Sequence, residues 1–311
     1  MENPFEYTDD NKRYHTLHYH LAHRFSHRVF KAVIDAQLTC PNLDGTKGSD
    51  GCVFCRAGGA EFTHGGLGVR QQITRELDRI RKKWPEAQAI AYFQAHTNTY
   101  APLAVLKNLY ETALAVPGIC GLSIATRCDA LPDDVVSYLA SLSQTTYLTV
   151  ELGLQTVHDR TADRIWRGHT YAEFLDAYHR LKAQGIRVCI HLIDGLPGES
   201  FVDMVQTARE VGALRPDAVK IHLLHILRDT ALADWYMRGE ITPMTREDYI
   251  RTVCAQLAVL PPETVIERIT GDGARDTLIA PLWSLDKIAV LGGIDRFLAE
   301  NDLWQGKLYN M

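Results

Sequence analysis

The chain has 311 residues, 46% apolar and 23% charged, with a formal net charge of −5. That length supports one large α/β domain, or one domain with a small extension, and its core needs no disulfide or structural metal. The mild acidity gives no support to broad nucleic-acid binding, and no window approaches the ~18 uninterrupted apolar residues of a membrane span. Residues 1–10 are polar and acidic, with no signal-like apolar stretch, so a cytoplasmic location with no membrane partner is expected. Seven cysteines in such a chain point to thiols or metal ligands rather than a disulfide framework.

In chain order, residues 1–28 form an N-terminal segment of helical character. It carries His15, His18, His20, His23 and His27, and a polar helix face explains them without a metal. Residues 29–35 predict a first strand, and a Gly-rich loop from 41 to 68 follows. Residues 69–84 carry Ile73, Leu77 and Ile80 at helical spacing. The basic run Arg79, Arg81, Lys82 and Lys83 reads as a solvated helix end. Strands are predicted at 89–93, 121–125, 146–150, 187–193 and 218–223. Helices lie between them at about 103–114, 132–142, 156–184 (interrupted near Gly168) and 200–213. Six β–α repeats with short apolar strands predict an α/β fold, a partial TIM-type (β/α)6 barrel over 29–225. Residues 226–311 form a C-terminal extension expected to close it. There Thr245-Arg246-Glu247-Asp248 resembles a capping box ahead of apolar periodicity at 249–259, and Pro261-Pro262 ends that helix.

Cys40 follows the first strand directly, and Cys52 and Cys55 form a CxxC with Val53 and Phe54 between them. The connecting loop holds Pro41, Gly45, Gly48 and Gly51, turn formers that let it fold back and bring Cys40 to the pair. A four-iron cube normally takes four cysteines, so three leave one iron open for a chelating ligand. A zinc site with His64 as fourth ligand also matches the spacing, and the loop alone leaves both open. Cys120, Cys128, Cys189 and Cys254 are scattered and read as small buried hydrophobes.

Several ordered motifs carry a resemblance. They are Thr39-Cys40-Pro41-Asn42 with Asp44-Gly45-Thr46-Lys47-Gly48, the stretch from Tyr92 to Tyr100, Glu151-Leu152-Gly153-Leu154-Gln155-Thr156, Arg167-Gly168-His169, and His191 through Glu199. In the tail, Thr270 to Gly273 and Pro281 to Ser284 also match. The chain resembles the radical SAM enzymes, closest to the YhcC-like family with its elongator-subunit-like core, from about residue 12 to Gly306. The resemblance implies that Cys40, Cys52 and Cys55 ligate a 4Fe–4S cluster whose open iron binds S-adenosylmethionine. It places Phe54 near the adenine, and puts Gln94, Ala95, His96 and Thr97 where the family has a turn contacting the methionine amino group. Glu151 to Gln155 end the fourth strand, with Gln155 facing the cofactor and Glu151 counted among the cofactor residues. Arg167 matches an arginine that salt-bridges the methionine carboxylate in oxygen-independent coproporphyrinogen oxidases. His191 takes a ribose-contacting position, and Gly195, Leu196 and Pro197 let backbone approach the adenine.

Three features depart from the pattern. Ala125-Thr126-Arg127 stands where an acidic residue or glycine is usual, Cys128 where a proline is common, and Gln37-Leu38 ahead of the first ligand motif where Gly-Phe is more familiar. His222 and His225 end the sixth strand, and Asp272 lies in a Gly-Asp-Gly turn of the tail; these three are the candidate catalytic residues. The implied reaction is reductive cleavage of S-adenosylmethionine to methionine and a 5′-deoxyadenosyl radical that takes hydrogen from a substrate. The implied partner is an electron donor such as flavodoxin or ferredoxin. The elongator-like core brings tRNA into consideration as substrate, which the net charge does not favour; a small molecule or a protein side chain stays open. The alternative is a non-enzymatic zinc or iron–sulfur binding protein.

Overall fold

The computed structural model describes residues 3–56, 66–94, 96–271, 273 and 275–309. His64, Ala95 and Asp272, all singled out from the sequence, lie outside the described residues.

The fold opens with a short helix, α1 (Leu17–Arg24), and then alternates strand and helix: β1 (Val29–Ile34), α2 (Val69–Arg81), β2 (Gln88–Phe93), α3 (Leu103–Leu114), β3 (Ile119–Thr126), α4 (Asp133–Ser143), β4 (Tyr147–Gln155), α5 (Asp159–Arg164), α6 (Tyr171–Ala183), β5 (Arg187–Asp194), α7 (Phe201–Ala213) and β6 (Ala218–Leu223). The strands are largely apolar runs buried on both faces, as parallel strands under a helical layer must be. Helix starts follow local chemistry. Ser200 and Asp203 cap one another at α7 across 2.8 and 3.3 Å, and Thr170 and Glu173 do the same at α6. The break predicted near Gly168 separates α5 from α6.

After β6 come β7 (Ile226–Leu227), α8 (Ala231–Met237), α9 (Arg246–Val259), β8 (Val265–Arg268), β9 (Leu278–Ala280) and α10 (Lys287–Glu300). Thr245 caps α9, its side chain accepting from Asp248 N. The sheet order is β1-β2-β3-β4-β5-β6-β8, all parallel. The seventh strand, β8, comes from the tail, and its short run Val-Ile-Glu-Arg carries no apolar pattern that marks it as a strand. Next to it, Ile266 N donates to His15 O at 2.7 Å, which ties the N-terminal segment to the same edge.

The sheet curls without closing, because β1 and β8 have no ladder between them among the described residues. A side-chain ion pair joins the two edge strands instead, Lys31 Nζ on β1 to Glu267 Oε2 on β8 at 2.5 Å. The lumen is therefore charged, unlike the apolar side-chain layers that fill a closed TIM barrel.

Candidate active site

The loop after β1 winds tightly around Asn42. Leu43 N and Asp44 N bond to Cys40 O at 2.8 and 3.2 Å, and Gly51 N bonds to Asn42 O at 2.7 Å. The Asn42 side chain donates to Trp166 O at 2.5 Å and lies 3.6 Å from Cys52 Sγ. Gly168 has φ +75°, and a Cβ there would come within 2.8 Å of Asn42 Oδ1. Only glycine fits that contact and that backbone together. Asn42 is a positioning residue to which the sequence motif alone assigns no role.

Cys52 and Cys55 are hydrogen-bonded side chain to side chain. The hydrogen bond from Cys55 pulls the Cys52 thiol down to about 7, with help from the Arg127 charge and Asn42 against the effect of burial. The same bond, with burial, drives Cys55 well above its ordinary value. Arg127 is the other residue missed from the sequence. Its charge acts on both Cys40 and Cys52, and its guanidinium is held by Asp129 at 2.8 and 2.9 Å and by Arg167 O at 2.8 Å. Asp129 also pairs with Lys47 at 2.9 Å, so the acidic group nearest the end of β3 is fully engaged. The other four cysteines are held as thiols by burial: Cys120 is pushed up to about 11, Cys128 and Cys254 to about 12, and Cys189 well above its ordinary value.

Cys40, Cys52 and Cys55 are three soft sulfur donors with no fourth cysteine on the loop, a set that fits a cluster with one iron left open. Among the described residues, the set of three metal-ligating side chains with ligand atoms all within 4.8 Å is Glu151, Cys189 and His191, not the three cysteines. Cys52 and Cys55 are hydrogen-bonded to one another and Cys40 is near enough to act on Cys55 by charge, so the loop gathers three soft sulfur donors.

The ends of β2, β4 and β5 face this loop. Gln94 N donates to Ile34 O at 3.3 Å, and Thr97 N to Thr39 O at 3.2 Å, so the chain after β2 lies against the stretch that leads from β1 into Cys40. His96 and Gln155 both adopt left-handed backbone, φ +59° and +65°. At Gln155 the β4–β5 register shifts, and its side chain folds back over Gly153, where a Cβ would meet Nε2 at 2.8 Å. Phe54, Val53 and Leu196 share a second apolar cluster with Ile165, Leu224, Ile226 and Leu232. Gly195, Leu196, Pro197, Glu199 and Met244 line a cavity of about 370 Å³ at the end of β5.

Two predicted cofactor contacts look different in the structure. Arg167 is 1% exposed, and its guanidinium donates to Leu154 O at 2.5 Å, Thr156 O at 2.6 Å, His169 O at 3.0 Å and Asp159 at 3.3 Å. A ligand carboxylate would have to displace these bonds, so Arg167 holds the β4–α5 connection rather than offering an open fork. Glu151 is completely buried. Oε1 accepts from Lys31 at 2.7 Å and from Ser123; Oε2 accepts from His191 Nε2 at 2.7 Å and from Lys220. Burial raises its pKa, but Lys220 and Lys31 outweigh that and keep it well below the usual carboxylate range. Glu151 orients His191 and has no oxygen left for a cofactor. Two ammonium groups already compensate it, which makes the set with Cys189 and His191 a poor metal site.

Above this ionic floor stand His191 and His222, their ring centroids 5.2 Å apart. His222 Nε2 is buried with no hydrogen-bond partner among the described residues. Burial, then the nearby His191, Arg268 and Lys220, hold His222 well below its ordinary pKa, so it is neutral. His225 packs on the Gly271 turn, where a Cβ would lie 2.6 Å from its ring.

Comparison with known proteins decides the family. The radical SAM superfamily model matches residues 46–211, and the radical SAM C-terminal domain model matches 216–300. The chain belongs to the radical SAM superfamily. It is 46% identical to YtqA of Bacillus subtilis, covering 99% of this chain and 97% of the relative. It is 35% identical to YhcC of Escherichia coli K12, over 90% of this chain and 91% of that protein, which places it in the YhcC-like family. The structure of archaeal Methanocaldococcus infernus Elp3 superposes with TM-score 0.69 at 17% identity, covering 90% of this chain and 64% of that one. Methylornithine synthase superposes at 0.52 and 13% identity, covering 93% and 86%. Both share the curled half-barrel. The superfamily's cofactors, a 4Fe–4S cluster and S-adenosylmethionine, are those of this chain. No described helix is long and apolar enough to cross a membrane.

Proposed function

We propose that Cys40, Cys52 and Cys55 hold the 4Fe–4S cluster, and that this protein is a radical SAM enzyme whose substrate enters the polar lumen above His191 and His222. The carrying observation is the loop of three cysteines, its start held against the segment after β2 and Val53 against the β4–α5 connection, in a chain that the radical SAM superfamily model matches. The bound cluster and S-adenosylmethionine supply one-electron cleavage to methionine and a carbon radical that abstracts hydrogen.

The protein's part is to position and to exclude water. Gln94, His96 and Thr97, on the segment bonded to Ile34 and Thr39 just ahead of Cys40, offer polar groups toward the methionine portion. Ala95 lies between them in the chain and is assigned to the same contact. Phe54, Gly195 and Leu196 supply the apolar wall for a planar adenine, next to the 370 Å³ cavity. Gln155, in left-handed backbone at the β4 bulge, faces the same mouth. Glu151 fixes His191 through a 2.7 Å bond, and neutral His222 keeps one ring nitrogen available to a polar substrate group. His225, packed on the Gly271 turn, and Asp272, next in the chain, complete the proposed catalytic set with His222. Reduction of the anaerobically reconstituted protein with S-adenosylmethionine should release 5′-deoxyadenosine, and Cys55→Ala should abolish it. Equal release by Cys55→Ala would overturn the assignment.

A further inference from the structure

Arg127 follows directly on β3, and its charge is the feature to explain. The motifs that this chain otherwise follows have an acidic residue or glycine here, so a cation is a departure. The residue is only 9% exposed, and a buried guanidinium is costly unless it is paired. Asp129 pairs it through both oxygens, at 2.9 and 2.8 Å, and Arg167 O accepts from Nη1 at 2.8 Å. A brace between the end of β3 and the β4–α5 connection would need only a neutral donor. Where the charge lies is more informative. A Cβ on Gly168 would come within 3.5 Å of Arg127 Nη2 and 2.8 Å of Asn42 Oδ1, and the Asn42 amide lies 3.6 Å from Cys52 Sγ. The guanidinium therefore lies across Gly168 from the side chain that meets Cys52, and its charge acts on both Cys40 and Cys52. Its counter-ion is in turn neutralised from outside. Asp129 Oδ2 also pairs with Lys47 at 2.9 Å, and Lys47 reaches the exposed Glu173 at 3.5 Å. Water and salt screen the outer charges far more than the buried Arg127.

We propose that Arg127 tunes the reduction potential of the cluster held by Cys40, Cys52 and Cys55, favouring its reduced form, and that Asp129 moderates the effect. The inference rests on that cluster assignment. A reduced cluster carries one more negative charge than an oxidised one, so a fixed cation beside its thiolates stabilises the product of electron uptake. One electron from an external low-potential reductant enters the cluster, and no covalent bond of this chain changes.

The test is an anaerobic redox titration of the reconstituted full chain without S-adenosylmethionine, followed by electron paramagnetic resonance, with iron counted in every sample. Arg127→Gln should make reduction about tenfold less favourable, a midpoint ~59 mV lower for one electron. Asp129→Asn should shift the midpoint the opposite way. Arg127→Lys, which keeps the charge and loses the fork, should stay near wild type. A residue that merely braces the loop does not produce shifts of opposite sign. A wild-type midpoint in iron-replete Arg127→Gln, shifts of the same sign in Arg127→Gln and Asp129→Asn, or an Arg127→Lys midpoint equal to that of Arg127→Gln would overturn the inference. Loss of iron from both Arg127→Gln and Asp129→Asn would mark a brace and overturn it too; if one of them alone loses iron, the other decides. A wild-type chain that takes up no four-iron cluster would instead sink the cluster assignment, and this inference with it.

Discussion

Single residues in this molecule act mainly through charge taken out of water. Asp194 is 1% exposed, accepts one bond from Gln256 at 2.7 Å, and has its second oxygen unpartnered among the described residues. Burial pushes it up to about 7. Between the ordinary carboxyl value of about 4 and about 7, the folded chain keeps a proton that the unfolded chain has released, so stability falls as pH rises through that window. Asp194→Asn should therefore stabilise the fold at pH 8 by a few kcal/mol, since each tenfold difference in proton affinity is worth ~1.4 kcal/mol, with the gain vanishing near pH 4. Thermal unfolding across that range checks it; an equal gain at both pH values would contradict it. Cys40, Cys52, Cys55 and their loop stand out in the sequence because their spacing is that of metal ligands, whichever metal they hold. Asn42 and Arg127 do not, since their partners lie more than a hundred and about forty residues away in the chain. Arg167 escapes for a related reason: sequence spacing identifies an arginine but not the carbonyls that saturate it.

At the level of elements, apolar runs and capping residues place the first six strands and their helices closely. The sequence pattern ends β4 too early, at 150, because Glu151 and Gly153 interrupt the apolar run; ladder pairing with β3 and β5 carries the strand to Gln155. β8 is invisible in the sequence, being four residues recruited by pairing with β6. Pairing also explains a glycine. Gly121 sits opposite Tyr147, and a Cβ there would lie 2.5 Å from the Tyr147 carbonyl oxygen. Backbone cannot swing aside as a side chain can, so Gly121→Ala should cost about 1–3 kcal/mol. A lower urea midpoint at unchanged slope is the expected result.

The whole molecule is an open barrel pinned across its lumen by charge. Lys31 reaches both Glu151 and Glu267, at 2.7 and 2.5 Å, linking β1 to β4 and β8. Lys31→Met removes one of the two ammonium groups, Lys31 and Lys220, that pair with both buried carboxylates, and should destabilise by roughly 3–5 kcal/mol. Adding Glu267→Gln should recover part of that loss in chemical denaturation; strict additivity would show that the pair is not coupled. The same open architecture leaves a polar lumen under a cysteine-bearing mouth, and this is where the functional claim stands. Electron paramagnetic resonance of the reduced, reconstituted protein, with and without S-adenosylmethionine, tests it most directly. About four irons per chain and a spectrum that changes on adding S-adenosylmethionine are predicted, because the fourth iron has no cysteine. A single bound zinc, or a cluster spectrum indifferent to S-adenosylmethionine, would contradict the account.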